Sequence, residues 1–145
     1  MRLTQYTDYS LRVLIYLAAR SAERSTIEEM SRAYGISRAH LMKVVHELGQ
    51  QGFVDTTRGR GGGVRLARRP DQISVGDVVR AMEDRMDLVE CFGPEGGACR
   101  IEPSCALRGA LESALNAFLS VLEDYTLADL VARRRKGLLQ LLDSA

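Results

Sequence analysis

Apolar side chains recur in steps of three and four through the first 20 residues. Leu3, Tyr6, Val13, Leu14 and Leu17 lie on one stripe with Ser10, which predicts a helix packed along one face. Ser25-Thr26-Ile27-Glu28 has the form of a capping box, a hydroxyl followed three residues later by Glu. The helix it opens carries Ile27, Met30 and Tyr34 and is predicted to stop at Gly35. Ser37 caps a second helix running to about Gln50, in which Leu41, Val44, Val45 and Leu48 share the packed face. Two short helices separated by a glycine-containing turn make a helix-turn-helix pattern. Beyond Gly52, Phe53–Thr57 and Val64–Ala67 read as short strands flanking Arg58-Gly-Arg60-Gly-Gly-Gly63, a glycine-rich hairpin tip, or wing.

Pro70 marks a boundary, after which Ser74 caps a helix from Val75 to about Arg85. Residues 86–104 contain Gly93, Pro94, Gly96, Gly97 and Pro103 and are predicted to form a loop. A long helix follows to about Tyr125, with Leu111, Leu115, Phe118, Leu122 and Tyr125 spaced as a heptad seam. Such a helix on a small domain calls for a second copy of the chain, so a two-fold homodimer is expected. Thr126-Leu-Ala-Asp129 caps a last helix that should end in the basic run Arg133–Lys136. Met30, Met42, Met82 and Met86 are assigned to the core. The pattern predicts a mainly α fold with a small β-hairpin wing. Residues 1–70 form a winged helix-turn-helix unit, with the recognition helix at about 37–50 and the wing at about 53–67. Residues 71–145 supply a connecting helix, a cysteine loop at 91–105 and dimerisation helices.

Charge sharpens this picture. The net charge of the 145-residue chain is only +1, but residues 1–70 hold 12 Lys/Arg against 6 Asp/Glu, and residues 71–145 hold 8 against 13. A basic half that contains the helix pair points to a polyanion, and the projection of the second helix points to double-stranded DNA. Ala39, Lys43 and His46 face away from its packed side, His40 lies at their flank, and Ser37 and Arg38 stand at its start. A basic face without bulky apolar groups, led by an arginine, is what a helix entering a major groove requires. Arg58 and Arg60 on the wing suit the negative potential of a narrow minor groove, and Arg65, Arg68 and Arg69 extend the patch. No export signal or apolar run of membrane-spanning length occurs, so the cytoplasm is the expected compartment and no membrane partner is expected. No Ser/His/Asp or paired-carboxylate arrangement stands out, which argues against an enzyme.

The only cysteines, Cys91, Cys99 and Cys105, all fall in the glycine- and proline-rich loop with spacing C-x7-C-x5-C. A structural disulfide is out of keeping with the cytoplasm and would leave one thiol over. Converging thiolates bind soft metals or iron–sulfur clusters. Zinc needs a fourth Cys or His, and the only histidines, His40 and His46, lie in the recognition helix. A metal or cluster site, a thiol redox switch and inert cysteines all remain open on these residues alone.

The opening Met1-Arg-Leu-Thr-x-Tyr-Thr-Asp-Tyr9, the wing Arg58-Gly-x-Gly-Gly-Gly63, Ile73-Ser-Val-Gly-Asp-Val-Val79 and the cysteine loop resemble the Rrf2 family of winged-helix regulators over nearly the whole chain. Leu88-Val-Glu-Cys91-Phe, Cys99-Arg-Ile-Glu-Pro-Ser-Cys105-Ala-Leu and Tyr125-Thr-Leu-Ala-Asp-Leu130 are most similar to the family's nitric-oxide-sensing repressors. The branch that regulates cluster-assembly genes uses a histidine three residues after its last cysteine, where this chain has Arg108. The resemblance implies a 2Fe–2S or 4Fe–4S cluster held by Cys91, Cys99 and Cys105, with Asp8 of the partner subunit as fourth ligand. It further implies a repressor that leaves its operator when nitric oxide nitrosylates the cluster. The alternatives are an iron–sulfur or redox-responsive regulator of cluster-assembly or stress genes and a metal-free thiol switch.

Overall fold

The computed structural model describes residues 2–20, 23–93 and 97–144. Pro94 and Gly96 of the expected loop therefore lie outside the described residues. The first helix, α1 (Gln5–Arg20), runs through the centre of the molecule and buries Val13, Leu14, Leu17, Ala18 and Ala19. Against it pack α3 (Arg38–Gln50), the hairpin strand β2 (Gly63–Leu66), α4 (Val75–Met82), α6 (Leu127–Ala132) and α7 (Arg135–Asp143).

Helix α2 (Ile27–Tyr34) begins one residue later in register than the sequence suggested: Thr26, not Ser25, is the N-cap, and its box partner is Glu29, not Glu28. The reason is tertiary. Ser25 is buried and exchanges backbone hydrogen bonds of 2.9 and 2.8 Å with Val64, so it lies as a bridge beside the wing and cannot also cap. Gly35 closes α2 in the left-handed conformation, Ser37 caps α3 by accepting from the His40 amide, and α3 covers Arg38–Gln50. The wing is a two-stranded antiparallel hairpin, β1 (Val54–Thr57) and β2 (Gly63–Leu66), with Val54 opposite Leu66.

Past Pro70, which opens a 3-10 turn, α4 (Val75–Met82) is shorter than expected because Glu83 turns into extended backbone. Residues 84–105 are irregular where described, apart from short 3-10 turns at Glu90–Phe92 and Glu102–Ser104. Helix α5 (Ala106–Glu123) then packs on α4. A Cβ added to Gly76 would stand 2.8 Å from the Glu123 backbone nitrogen, so a side chain there would force the two helices apart. The main core draws on both sides of Pro70, joining Val13, Leu41 and Leu48 to Ile73, Val78, Leu127 and Leu142.

Two expectations for the C-terminal half are corrected. The basic run does not end the last helix. Helix α6 (Leu127–Ala132) stops before it, and α7 (Arg135–Asp143) starts within it. The break lets Leu138, Leu139 and Leu142 return to the main core, while Arg135 donates to the Ala19 carbonyl at the end of α1. The heptad seam is also largely used within the chain. Leu115, Phe118 and Leu122 surround Leu119 in a small cluster with Val75 and Val79 of α4. The apolar stripe left in the open on α5 is Leu107, Ala110, Ala114, Ala117 and Val121, again at intervals of 3 and 4.

Candidate nucleic-acid interface and cysteine segment

The exposed side of α3 carries Ser37, Arg38, Ala39, His40, Met42, Lys43 and His46, while Leu41, Val44, Val45 and Leu48 are buried beneath them. The Tyr6 hydroxyl of α1 ties this helix down by donating to the Lys43 carbonyl at 2.9 Å, and the Tyr34 hydroxyl of α2 ties that helix to α1 by donating to the Arg12 carbonyl at 3.0 Å. Burial pushes the Tyr34 phenol up to about 12, so this bond keeps its proton throughout the neutral range. His40 lies beside the Tyr9 ring, 6.3 Å between centroids. All the residues assigned to DNA from the sequence therefore share one accessible face, save the wing pair, which projects beside it.

Arg58 and Arg60 are exposed on the wing tip and take part in no ion pair among the described residues. The flanking arginines differ. Arg65 pairs with Asp55 at 3.3 Å, Arg69 is forked onto Asp71, and Arg68 lies over the Phe53 ring. Arg65 and Arg69 thus lend less net positive charge to the patch than counting suggested. Arg38 is also committed, its Nε 3.1 Å from Glu28 of α2. The residue that sequence reasoning misplaced is Met42. It is 56% exposed, in a cleft of about 720 Å³ between α3 and the wing.

The three thiols are free, with Cys91 and Cys105 half-buried and Cys99 exposed. Gly97 approaches Cys91 so closely that a Cβ would meet its Cα at 3.2 Å, and the Ala98 amide donates to Glu90 Oε1 at 3.3 Å. The segment thus doubles back, bringing the chain two residues from Cys99 against Cys91. Between Cys99 and Cys105 the backbone is a run of turns, Glu102 N donating to Cys99 O and Cys105 N to Glu102 O, both at 3.2 Å. Arg108 donates to Glu102 Oε1 at 2.6 Å, which gives it a structural task. The donor set, three uncommitted thiols on a folded-back segment, has the chemistry an iron–sulfur cluster requires. Within the single chain, no three His, Cys, Asp or Glu side chains among the described residues stand close enough to hold a metal ion. Asp8 sits in the first turn of α1, half-exposed and paired with Arg12 at 2.8 Å.

The Rrf2 family, described as iron-dependent transcriptional regulators, matches residues 3–133. An HTH-type transcriptional regulator NsrR of Bacillus subtilis is 52% identical over 143 residues, 98% of this chain and 97% of the relative. A protein named aau3 of Rhizobium meliloti is 46% identical over 92% of this chain and 87% of its own. Among solved structures, CymR, the global cysteine regulator of B. subtilis, superposes with a TM-score of 0.74 at 28% identity, covering 91% of this chain and 97% of that one. IscR of T. potens shares the fold with a TM-score of 0.74 at 22% identity, covering 91% and 87%.

Proposed function

Because the chain belongs to the Rrf2 family of DNA-binding transcriptional regulators, we propose that it is a homodimeric, cytoplasmic repressor that releases its operator in response to nitric oxide through an iron–sulfur cluster. One observation carries this reading: a single chain joins an exposed basic helix-and-wing face to three uncommitted thiols on the segment entering α5. The likeness over nearly the full length to a regulator named NsrR supports the choice of signal.

Cys91, Cys99 and Cys105 would hold the cluster, with Asp8 of the partner subunit as fourth ligand; the group supplies iron with which nitric oxide reacts. The chain's own residues do the rest. Ser37, Arg38, His40 and Lys43 bind in the major groove, and Arg58 and Arg60 bind beside it in the minor groove. The open stripe Leu107–Ala114–Val121 of α5 pairs with its copy in a second protomer, setting the two recognition helices about one helical turn of duplex apart, or a multiple of it. Asp8 stands at the start of α1, which packs directly on α3, so a change in how the first turn is held reaches the DNA-binding face through one rigid helix. A coupling of about 1–3 kcal/mol between the two sites alters operator affinity roughly 5- to 150-fold.

The test is anaerobic purification followed by titration with nitric oxide. The protein should be coloured, Cys99→Ala should bleach it, and nitric oxide should lower its affinity for promoter duplex. A colourless protein with stoichiometric zinc would overturn the cluster. A second reading, a metal-free thiol switch, is favoured by the exposure of Cys99; it predicts a colourless protein whose DNA affinity follows oxidants and reductants instead. A regulator of cluster-assembly genes would be coloured but would respond to cluster supply.

A further inference from the structure

Met42 is the one large apolar side chain on the otherwise polar face of α3, and the fold makes no use of it. It belongs to neither buried cluster, whereas its neighbours in sequence, Leu41, Val44 and Val45, are almost wholly buried. An exposed methionine on a binding helix is out of place as packing and apt as a contact, because the thioether chain is unbranched and adapts to the surface it meets.

Its surroundings identify that surface. One turn before Met42 is Arg38, and one turn after it is His46, so the three form a single i, i+4 row along the edge of α3 that faces the wing. Glu28 of α2 lies 3.1 Å from the Arg38 Nε, so the start of the row stands beside the helix that precedes it, with a guanidinium suited to a base edge. The pair also removes a free carboxylate from a surface meant for phosphates. Across the cleft stand Thr56, Thr57 and Arg58 of the wing. A methionine set between two hydrogen-bonding side chains in this row meets bases, not another protein's core. The apolar feature that the major groove offers is the 5-methyl group of thymine.

We propose that Met42 is a specificity-determining residue that reads a thymine methyl in each half-site, next to the base pair contacted by Arg38. This inference rests on the DNA-binding reading above. Met42 makes apolar contact only; the hydrogen bonds come from its neighbours.

The experiment begins with selection of duplexes from a randomised DNA library by the full, anaerobically purified chain. The best duplex is then remade with deoxyuridine replacing each thymine in turn, which removes one methyl and nothing else. At one thymine per half-site, wild-type affinity should fall about 3- to 10-fold, the worth of one or so buried methyl groups. Met42→Ala should bind the thymine and uracil forms of that position alike, keep its response at the other positions, and melt at the wild-type temperature, since the side chain is exposed. If the uracil duplexes affect both proteins equally, or Met42→Ala loses affinity by the same factor on every sequence, the inference is overturned and the DNA-binding reading stands. A library from which no duplex is enriched overturns both.

Discussion

Glu83 shows how much one side chain can hold. Its carboxylate accepts from the Thr4 amide at 3.1–3.2 Å, from the Thr4 hydroxyl at 3.1 Å and from the Thr7 hydroxyl, and Thr7 is wholly buried. It thereby satisfies an orphan N–H at the start of α1, where a negative charge also suits the helix dipole. Glu83→Ala takes the carboxylate from the buried Thr7 hydroxyl, which keeps the Thr4 hydroxyl at 3.0 Å, and removes the acceptor of the Thr4 amide; it should cost about 1–3 kcal/mol, read as a lower urea midpoint at an unchanged slope. The clasp was invisible in the sequence because its partners lie 76 and 79 residues apart. Local features were legible by contrast: the Ser37 cap and the Gly35 stop each depend on a few adjacent residues. Met42 was misread for a geometric reason. It projects only about 60° around the helix from Val45, so the apolar face seemed to include it until the wing left that edge open.

Among the elements, α6 is the shortest α-helix and opens on a reciprocal cap. Thr126 and Asp129 form a reciprocal box, with Asp129 accepting from the Thr126 amide at 2.8 Å and hydroxyl at 2.6 Å. The hydrogen bond from the Thr126 side chain, ahead of that from its backbone, holds the Asp129 carboxyl below its ordinary value. Because the folded value is depressed, the stabilisation is present above the unfolded carboxylate pKa of about 4 and is lost as pH falls through the folded value. Thermal midpoints followed by circular dichroism from pH 5 down to pH 2 should fall, and Asp129→Asn should fall less over the same interval. A slope identical in the two proteins would remove the box from the account of acid sensitivity. The box itself was legible in Thr126-Leu-Ala-Asp129, but the break after Ala132 was not. Arg133–Lys136 suits a helix C-terminus electrostatically, and it is the packing of Leu138, Leu139 and Leu142 against the main core that makes a second helix worth starting there.

For the molecule as a whole, α5 is the element that the isolated chain leaves incomplete. Leu107 is 63% and Val121 57% exposed at the two ends of a stripe whose middle is alanine, which allows close approach of a second helix. Ala114→Glu places a carboxylate at the centre of the proposed dimer contact and should cost about 3 kcal/mol or more. The dimer dissociation constant should then rise about 100-fold or more by sedimentation equilibrium. An undisturbed dimer would move the contact off this stripe. The helix was legible; which of its faces is spoken for was not, because Val75 and Val79 of α4 claim the side the heptad rule selects. The thiols were equally legible as a group, while the doubling back at Gly97 emerges only from the folded chain. One further property follows from the backbone bridge between Ser25 and Val64. Because the hairpin is stitched to the segment leading into α2, and α3 packs on both α2 and β1, the wing and the exposed helix face are held together as one stiff hand. In the proposed dimer, a signal from the thiol segment would find no loose finger to bend and would steer the whole hand relative to its twin.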